Sequence, residues 1–153
     1  MNHKKAIARL TEHGIRPSLQ RIAIMDYLLT HFTHPTVDDV YCGLSEKIPT
    51  LSRTTVYNTL RMFSENDAAQ MITIDDHRVC YDGDISAHAH FYCNRCRKIY
   101  DIFDDVSPML KQRTVGGHKV DDVQLYYKGV CKECLKADAH DSDAYGGSTA
   151  SAS

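Results

Sequence analysis

Any fold of this chain has to place two Cys-x-x-Cys pairs, Cys93-Asn94-Arg95-Cys96 and Cys131-Lys132-Glu133-Cys134. A two-residue spacer points both sulfurs of a pair at one centre, and two such knuckles close a tetrahedron of thiolates. In a reducing compartment that spacing reads as a zinc site before it reads as disulfides. Four sulfurs leave no open position, so the zinc would be structural. One pair could instead serve a thiol-disulfide oxidoreductase, which needs only one. The other two cysteines, Cys42 and Cys80, have no partner pattern and are expected as small buried apolar residues.

A staple of this kind suits the length. The 153 residues make one domain or two very small ones, and small domains bury too little apolar surface to stand alone. With 42% hydrophobic and 25% charged residues, collagen-like and low-complexity chains are excluded. No apolar run is long enough for a membrane span, and Met1–Leu10 has no apolar core of a secretory signal. The expected location is the cytoplasm, with no membrane partner.

Four helices are predicted in the first half. Residues 3–13 form the first, stopped by Gly14; Ser18 caps the second, with Ile22, Met25, Leu28 and Leu29 inward. Thr36 caps the third, with Asp39 at the capping-box position but one carbon short. Ser52 caps the fourth, with Val56, Leu60 and Phe63 inward. Its outer face carries Arg53, Thr54, Tyr57, Asn58 and Arg61 in i, i+4 rows. These side chains suit base edges and phosphates, and the same face would also suit a plain solvated helix. Residues 1–62 hold eight basic and five acidic residues, a charge of +3, against −5 for the remainder, so the front half is the half suited to a polyanion.

Two strands, 68–74 and 77–81, follow around Asp75-Asp76. Helices followed by a hairpin are the winged helix-turn-helix plan, in which the last helix enters the major groove. Asp82-Gly83-Asp84 reads as a hinge. Beyond it, strands over 88–93, 98–103 and 120–127, with a helix opened by Ser107-Pro108, make a small α/β unit with a knuckle at each end. The fold class is therefore α+β: a winged-helix DNA-binding domain over 1–83, a zinc-stapled α/β domain over 84–137, and a disordered tail over 138–153 rich in Ala, Asp, Ser and Gly.

His88-Ala89-His90 alternates on a strand, so both imidazoles share a face. Asp82 lies just upstream, Asp101 on the next strand, and His34 in the loop between the second and third helices. Imidazoles with carboxylates suit Fe(II), Mn(II) or Zn(II) and not Cu(I). Two surface histidines would give the same pattern.

At this point the sequence resembles the ferric-uptake-regulator family of metal-responsive bacterial repressors. The resemblance is carried by His34-Pro35-Thr36, Thr55-Val56-Tyr57-Asn58-Thr59-Leu60, His88-Ala89-His90 and both knuckles, in order and register from Gly14 to Cys134. It implies a homodimer with winged helices in front and dimerisation domains behind. It implies structural zinc on Cys93, Cys96, Cys131 and Cys134, and a regulatory Fe(II) or Mn(II) on His34, Asp82, His88, His90 and Asp101. It implies a double-stranded operator with an inverted repeat, Arg16 in the minor groove, and Tyr57 and Asn58 toward the major groove.

Asp at both carboxylate positions, with His90-Phe91-Tyr92-Cys93 and Lys98-Ile99-Tyr100-Asp101, looks like the peroxide-sensing branch. That branch implies oxidation of a ligand histidine, His34 or His88, with loss of metal and release of DNA. An iron-occupancy repressor of the same family is the alternative, and a zinc-stapled interaction module that does not touch DNA is another. None of these readings is an enzyme, whereas the thiol-disulfide alternative would be. A third metal site found in many members would fall on Ala87, Ala89, Pro108 and Val123, which cannot bind, so it is expected to be absent. The chain departs from the family at Leu19, where Pro is usual, and at Arg97, where Gly is common; the entry to the second helix is therefore expected to be re-angled.

Overall fold

The computed structural model describes residues 3–103 and 107–144. They fall into two compact units divided between Ser86 and Ala87.

The first unit runs α1 (Lys4–Glu12), α2 (Leu19–Thr30), α3 (Val37–Leu44), α4 (Arg53–Glu65), then β1 (Gln70–Asp75) and β2 (Arg78–Asp82) paired as an antiparallel hairpin. Gly14 sits at φ +72° and turns the chain out of α1, a backbone state that a side chain would strain. Ser18 and Ser52 accept the Arg21 and Thr55 N–H groups, so each cap satisfies a donor that its helix cannot. Leu19, at the first position of α2, is exposed, and the helix starts from its cap without the family's proline. Asp39 does reach back: its Oδ2 accepts the Thr36 N–H at 3.0 Å and closes a full capping box. The core is the set of inward helix faces, centred on Leu10, Ile24, Leu28, Val56, Leu60 and Phe63.

In the second unit, β3 (Ala89–Cys93) lies between β4 (Ile99–Ile102), antiparallel, and β7 (Tyr126–Gly129), parallel. The short α5 (Ser107–Leu110) and a hairpin of β5 (Thr114–Val115) and β6 (His118–Lys119) lie between β4 and β7 in sequence, and α6 (Lys132–Ala144) follows.

Several expectations are corrected. The strand expected over 120–127 lies later, at Tyr126–Gly129, and the hairpin ahead of it was not foreseen. Gly116 and Gly117, both at positive φ, supply its two-residue turn, and that dipeptide was the available signal. The tail expected from residue 138 is helical through Ala144, because α6 continues from the second knuckle; residues 145–153 lie outside the described residues. The capping role read for Ser107 falls on a side chain outside the described ones. Cys80 is buried as expected, but Cys42 is exposed, since Val40 and Leu44 hold the inward face of α3 and residue 42 points the other way. No described helix is long and apolar enough to cross a membrane.

Candidate metal centres and nucleic-acid interface

The four knuckle sulfurs lie within 4.8 Å of one another. Cys93 and Cys134 are 3.8 Å apart and Cys96 and Cys131 3.7 Å. A zinc ion ~2.3 Å from each of four sulfurs sets them about 3.8 Å apart, so the donors fit a tetrahedral zinc in number, kind and spacing. A dithiol redox pair would require no such convergence.

The backbone builds this centre. Cys93 ends β3, and the turn after it is closed by the Arg97 N–H on the Cys93 carbonyl (2.9 Å) and the Cys93 N–H on the Lys98 carbonyl (3.0 Å). Arg97 adopts φ +62° to make that turn, the conformation for which glycine is suited. The N–H groups of Cys96 and Cys131 then point at Cys93 Sγ, at 3.5 and 3.3 Å. Burial pushes the Cys93 thiol up, but these N–H groups and that of Arg95 outweigh it and bring the thiol down to about 6. A hydrogen bond from the Tyr100 hydroxyl, followed by the Cys134 N–H, lowers Cys131. Sharing a proton with Cys131, and then burial, raises Cys134 to about 12. Thiolates are thus favoured at the two most buried sulfurs, which suits a dication. Tyr100 was missed by sequence reasoning; its only signal was its place on the strand that follows the knuckle.

His34 and Asp82 belong to the first unit, and His88, His90 and Asp101 to the second. In the first, His34 Nε2 stands 3.4 Å from Asp82 Oδ2, and both residues are buried. The Tyr81 N–H donates to the Pro35 carbonyl at 2.9 Å, which ties the residue before Asp82 to the residue after His34. His34 itself lies at φ +56°. Gly83 packs so closely on α2 that a Cβ there would sit 2.7 Å from the Leu28 carbonyl oxygen, and Arg9 Nη1 holds the Gly83 carbonyl at 2.7 Å. In the second unit, His90 is paired with Asp101 across the β3–β4 ladder. Asp101 Oδ1 lies 3.1 Å from His88 Nε2 and 3.4 Å from His90 Nε2, and both histidines are buried. Nitrogen and oxygen ligands ~2.1 Å from one ion lie about 3.0–3.5 Å apart, so each group has the spacing of adjacent metal ligands. Buried imidazoles facing carboxylates are also a borderline-hard donor set.

The exposed face of α4 carries Arg53, Thr54, Tyr57, Asn58 and Arg61, all open to solvent. Arg61 Nε pairs with Glu65 on the same helix at 2.9 Å, and Arg53 Nε with Asp38 of α3 at 3.0 Å. Arg16 and Asn58 share a groove of about 480 Å³ with Ser18 and Arg21 of the α2 entrance, so the residue expected in the minor groove adjoins the exposed face of α4. A larger cavity of about 740 Å³, lined by His3, Asp26, Tyr27 and His31 among others, contains none of the expected site residues.

Residues 12–128 match the ferric uptake regulator family. The chain is 39% identical over 141 residues to the peroxide operon regulator of Bacillus subtilis, covering 90% of this chain and 96% of that one. It is 36% identical over 138 residues to the peroxide-responsive repressor PerR of Staphylococcus epidermidis, covering 86% and 89%. Its fold is that of the ferric uptake regulator of Pseudomonas aeruginosa solved with manganese, at a TM-score of 0.66 and 23% identity over 83% of this chain and 98% of that one. The architecture is α+β, a winged helix-turn-helix unit followed by an α/β unit of the dimerisation type. With the match covering most of its length, this chain belongs to the ferric uptake regulator family.

Proposed function

We propose that the protein is a metal-dependent transcriptional repressor of the peroxide-responsive type, and that it senses hydrogen peroxide by oxidation of a metal-ligand histidine. The chain's likeness to repressors named for peroxide response supports the type. The observation that carries the sensing reading is the donor set: buried imidazoles facing aspartates, His34 with Asp82 and His88 and His90 with Asp101.

In this reading Cys93, Cys96, Cys131 and Cys134 hold structural zinc. His34, Asp82, His88, His90 and Asp101 hold one regulatory Fe(II) or Mn(II). An ion needing all five donors binds best where all are in reach, and that difference in affinity is the free energy available to favour the DNA-binding arrangement of a homodimer. Two copies of α4 then meet the half-sites of an inverted repeat. Arg16, Arg53, Thr54, Tyr57, Asn58 and Arg61 supply the contacts.

Bound Fe(II) would lend one electron to open the peroxide O–O bond and regain it as the ring is oxidised, chemistry that Mn(II) would not supply. In the net change one ring C–H of His34 or His88 becomes C–OH, and the second peroxide oxygen leaves as water. Asp101 lies against His88 at Nε2, and Asp82 against His34 at Nε2, as two donors to one ion would. Oxidation replaces a ligand by a poorer one, so the ion is lost and DNA is released.

Anaerobic Fe(II)-loaded protein treated with sub-stoichiometric peroxide tests this by peptide mass spectrometry. One added oxygen on the peptide bearing His34 or His88, with none in a Mn(II)-loaded control, is the expected result. DNA release without added oxygen would assign sensing by iron occupancy instead.

A further inference from the structure

Arg53 is the first residue of α4, directly after its cap Ser52. Its side chain turns back toward α3: Nε donates to Asp38 Oδ1 at 3.0 Å, and the guanidinium carbon stands 4.3 Å above the centre of the Tyr41 ring. Asp38 and Tyr41 are three residues apart on α3 and form one surface against Arg53.

As a stabilising contact the Arg53–Asp38 pair is worth little, because both side chains are more than half exposed (61% and 74%). What the pair fixes is direction. The bond to Asp38 uses Nε alone, so Nη1 and Nη2 are left as a fork of donors, and the Tyr41 ring packs against the guanidinium. Residues at the start of a recognition helix are the ones that reach base edges, and a planar fork of two donors matches O6 and N7 of guanine. A contact to phosphate needs no such orientation, and a carboxylate beside the guanidinium would oppose it by like charge. Arg61 differs: its carboxylate partner is Glu65, one turn on in the same helix, at the far end of α4.

We propose that Arg53, oriented by Asp38 and Tyr41, reads a guanine in each operator half-site and so is a specificity-determining residue. The assignment rests on the DNA-binding reading above.

Mn(II)-loaded full-length protein, selected on a randomised duplex library, gives the preferred half-site. Its binding is then measured on that duplex, on one with each guanine replaced by adenine, and on one with 7-deazaguanine, which lacks the N7 acceptor. One guanine position is expected to cost the wild type about tenfold in affinity when altered. Arg53→Ala should lose that discrimination. Arg53→Lys should lose it too while keeping the salt slope, since the charge remains and the fork does not. Asp38→Ala should weaken the guanine preference several-fold with a smaller effect on overall affinity. Equal loss on all duplexes for Arg53→Ala, with a shallower salt slope, would make Arg53 a phosphate contact and overturn the proposal. Tighter binding by Asp38→Ala with discrimination intact would make Asp38 a restraint and also overturn it. If wild type enriches no duplex, the DNA-binding reading fails and this assignment with it.

Discussion

His90 stands directly across from Asp101 in the β3–β4 ladder, and the same carboxylate oxygen that faces His90 also faces His88. One carboxylate therefore lies beside two imidazoles. If Asp101 is a ligand as proposed, Asp101→Ala is expected to lower Mn(II) affinity at least about tenfold, because the carboxylate that lies beside two imidazoles is lost. Equilibrium Mn(II) binding followed by electron paramagnetic resonance checks this. Zinc content, measured on the same samples, should be unchanged, since the cysteine centre shares no ligand with it.

Cys96 is the exposed member of the sulfur tetrahedron. Exposure does not make it dispensable: a metal site that replaces a large core contributes folding free energy with all of its ligands. Cys96→Ser is expected to lose zinc and to melt the second unit while α1–α4 keep their helical signal. Elemental analysis for zinc and thermal unfolding by circular dichroism test both parts.

Arg97 occupies a left-handed backbone position at the end of the first knuckle. A side chain there costs ~1–2 kcal/mol, part of which glycine gives back as entropy of the unfolded chain. Arg97→Gly should stabilise the protein by up to about 1 kcal/mol and slow zinc release to a chelator. A urea midpoint that falls would count against the strain argument.

Asp75 closes the wing turn. Its carboxylate accepts the His77 N–H at 3.0 Å and pairs with Arg78 at 2.9 Å, and these contacts, the N–H first, hold it below the usual aspartate range. A carboxyl with a lowered native pKa stabilises the fold above its unfolded pKa and loses that contribution as pH falls through the native value. The turn should therefore be unaffected between neutrality and about pH 5 and loosen only below the ordinary aspartate pKa of ~4. The His77 amide, followed by NMR across an acid titration, should shift with a midpoint below that of free aspartate. Asp75→Asn should abolish the titration.

The helical half of the fold was legible because its signals are local. Ser18, Thr36 and Ser52 lie where side-chain caps are needed, and inward positions recur at helical spacing. The zinc knuckles were legible for the same reason: two residues of spacing contain the geometry. The second unit was less so. The strands expected over 88–93 and 98–103 are present as β3 and β4, but β7 has four residues and the hairpin strands two each, too short for alternation to show. The helical stretch from Asp138 to Ala144 was hidden by composition, since Ala, Asp and Ser read alike in a tail and at the end of a helix. The proposed regulatory ligands rest on resemblance and His-x-His spacing. Nothing local marks His34, whose pairing with Asp82 depends on a backbone hydrogen bond between segments 46 positions apart in sequence, Pro35 and Tyr81.

Gly83 has a bearing on how this protein could be re-tuned. Its missing side chain lets the chain after Asp82 lie against the Leu28 carbonyl, and Arg9 clamps its own carbonyl from the other side. The main chain that carries Asp82 is thus fixed in position, with no slack for a lateral adjustment. If Asp82 is a ligand as proposed, a variant with a taste for a larger or smaller cation would have to change the reach of that side chain, as Asp82→Glu does. Insertions or loop remodelling around residue 83 would break the scaffold before they altered the choice of ion.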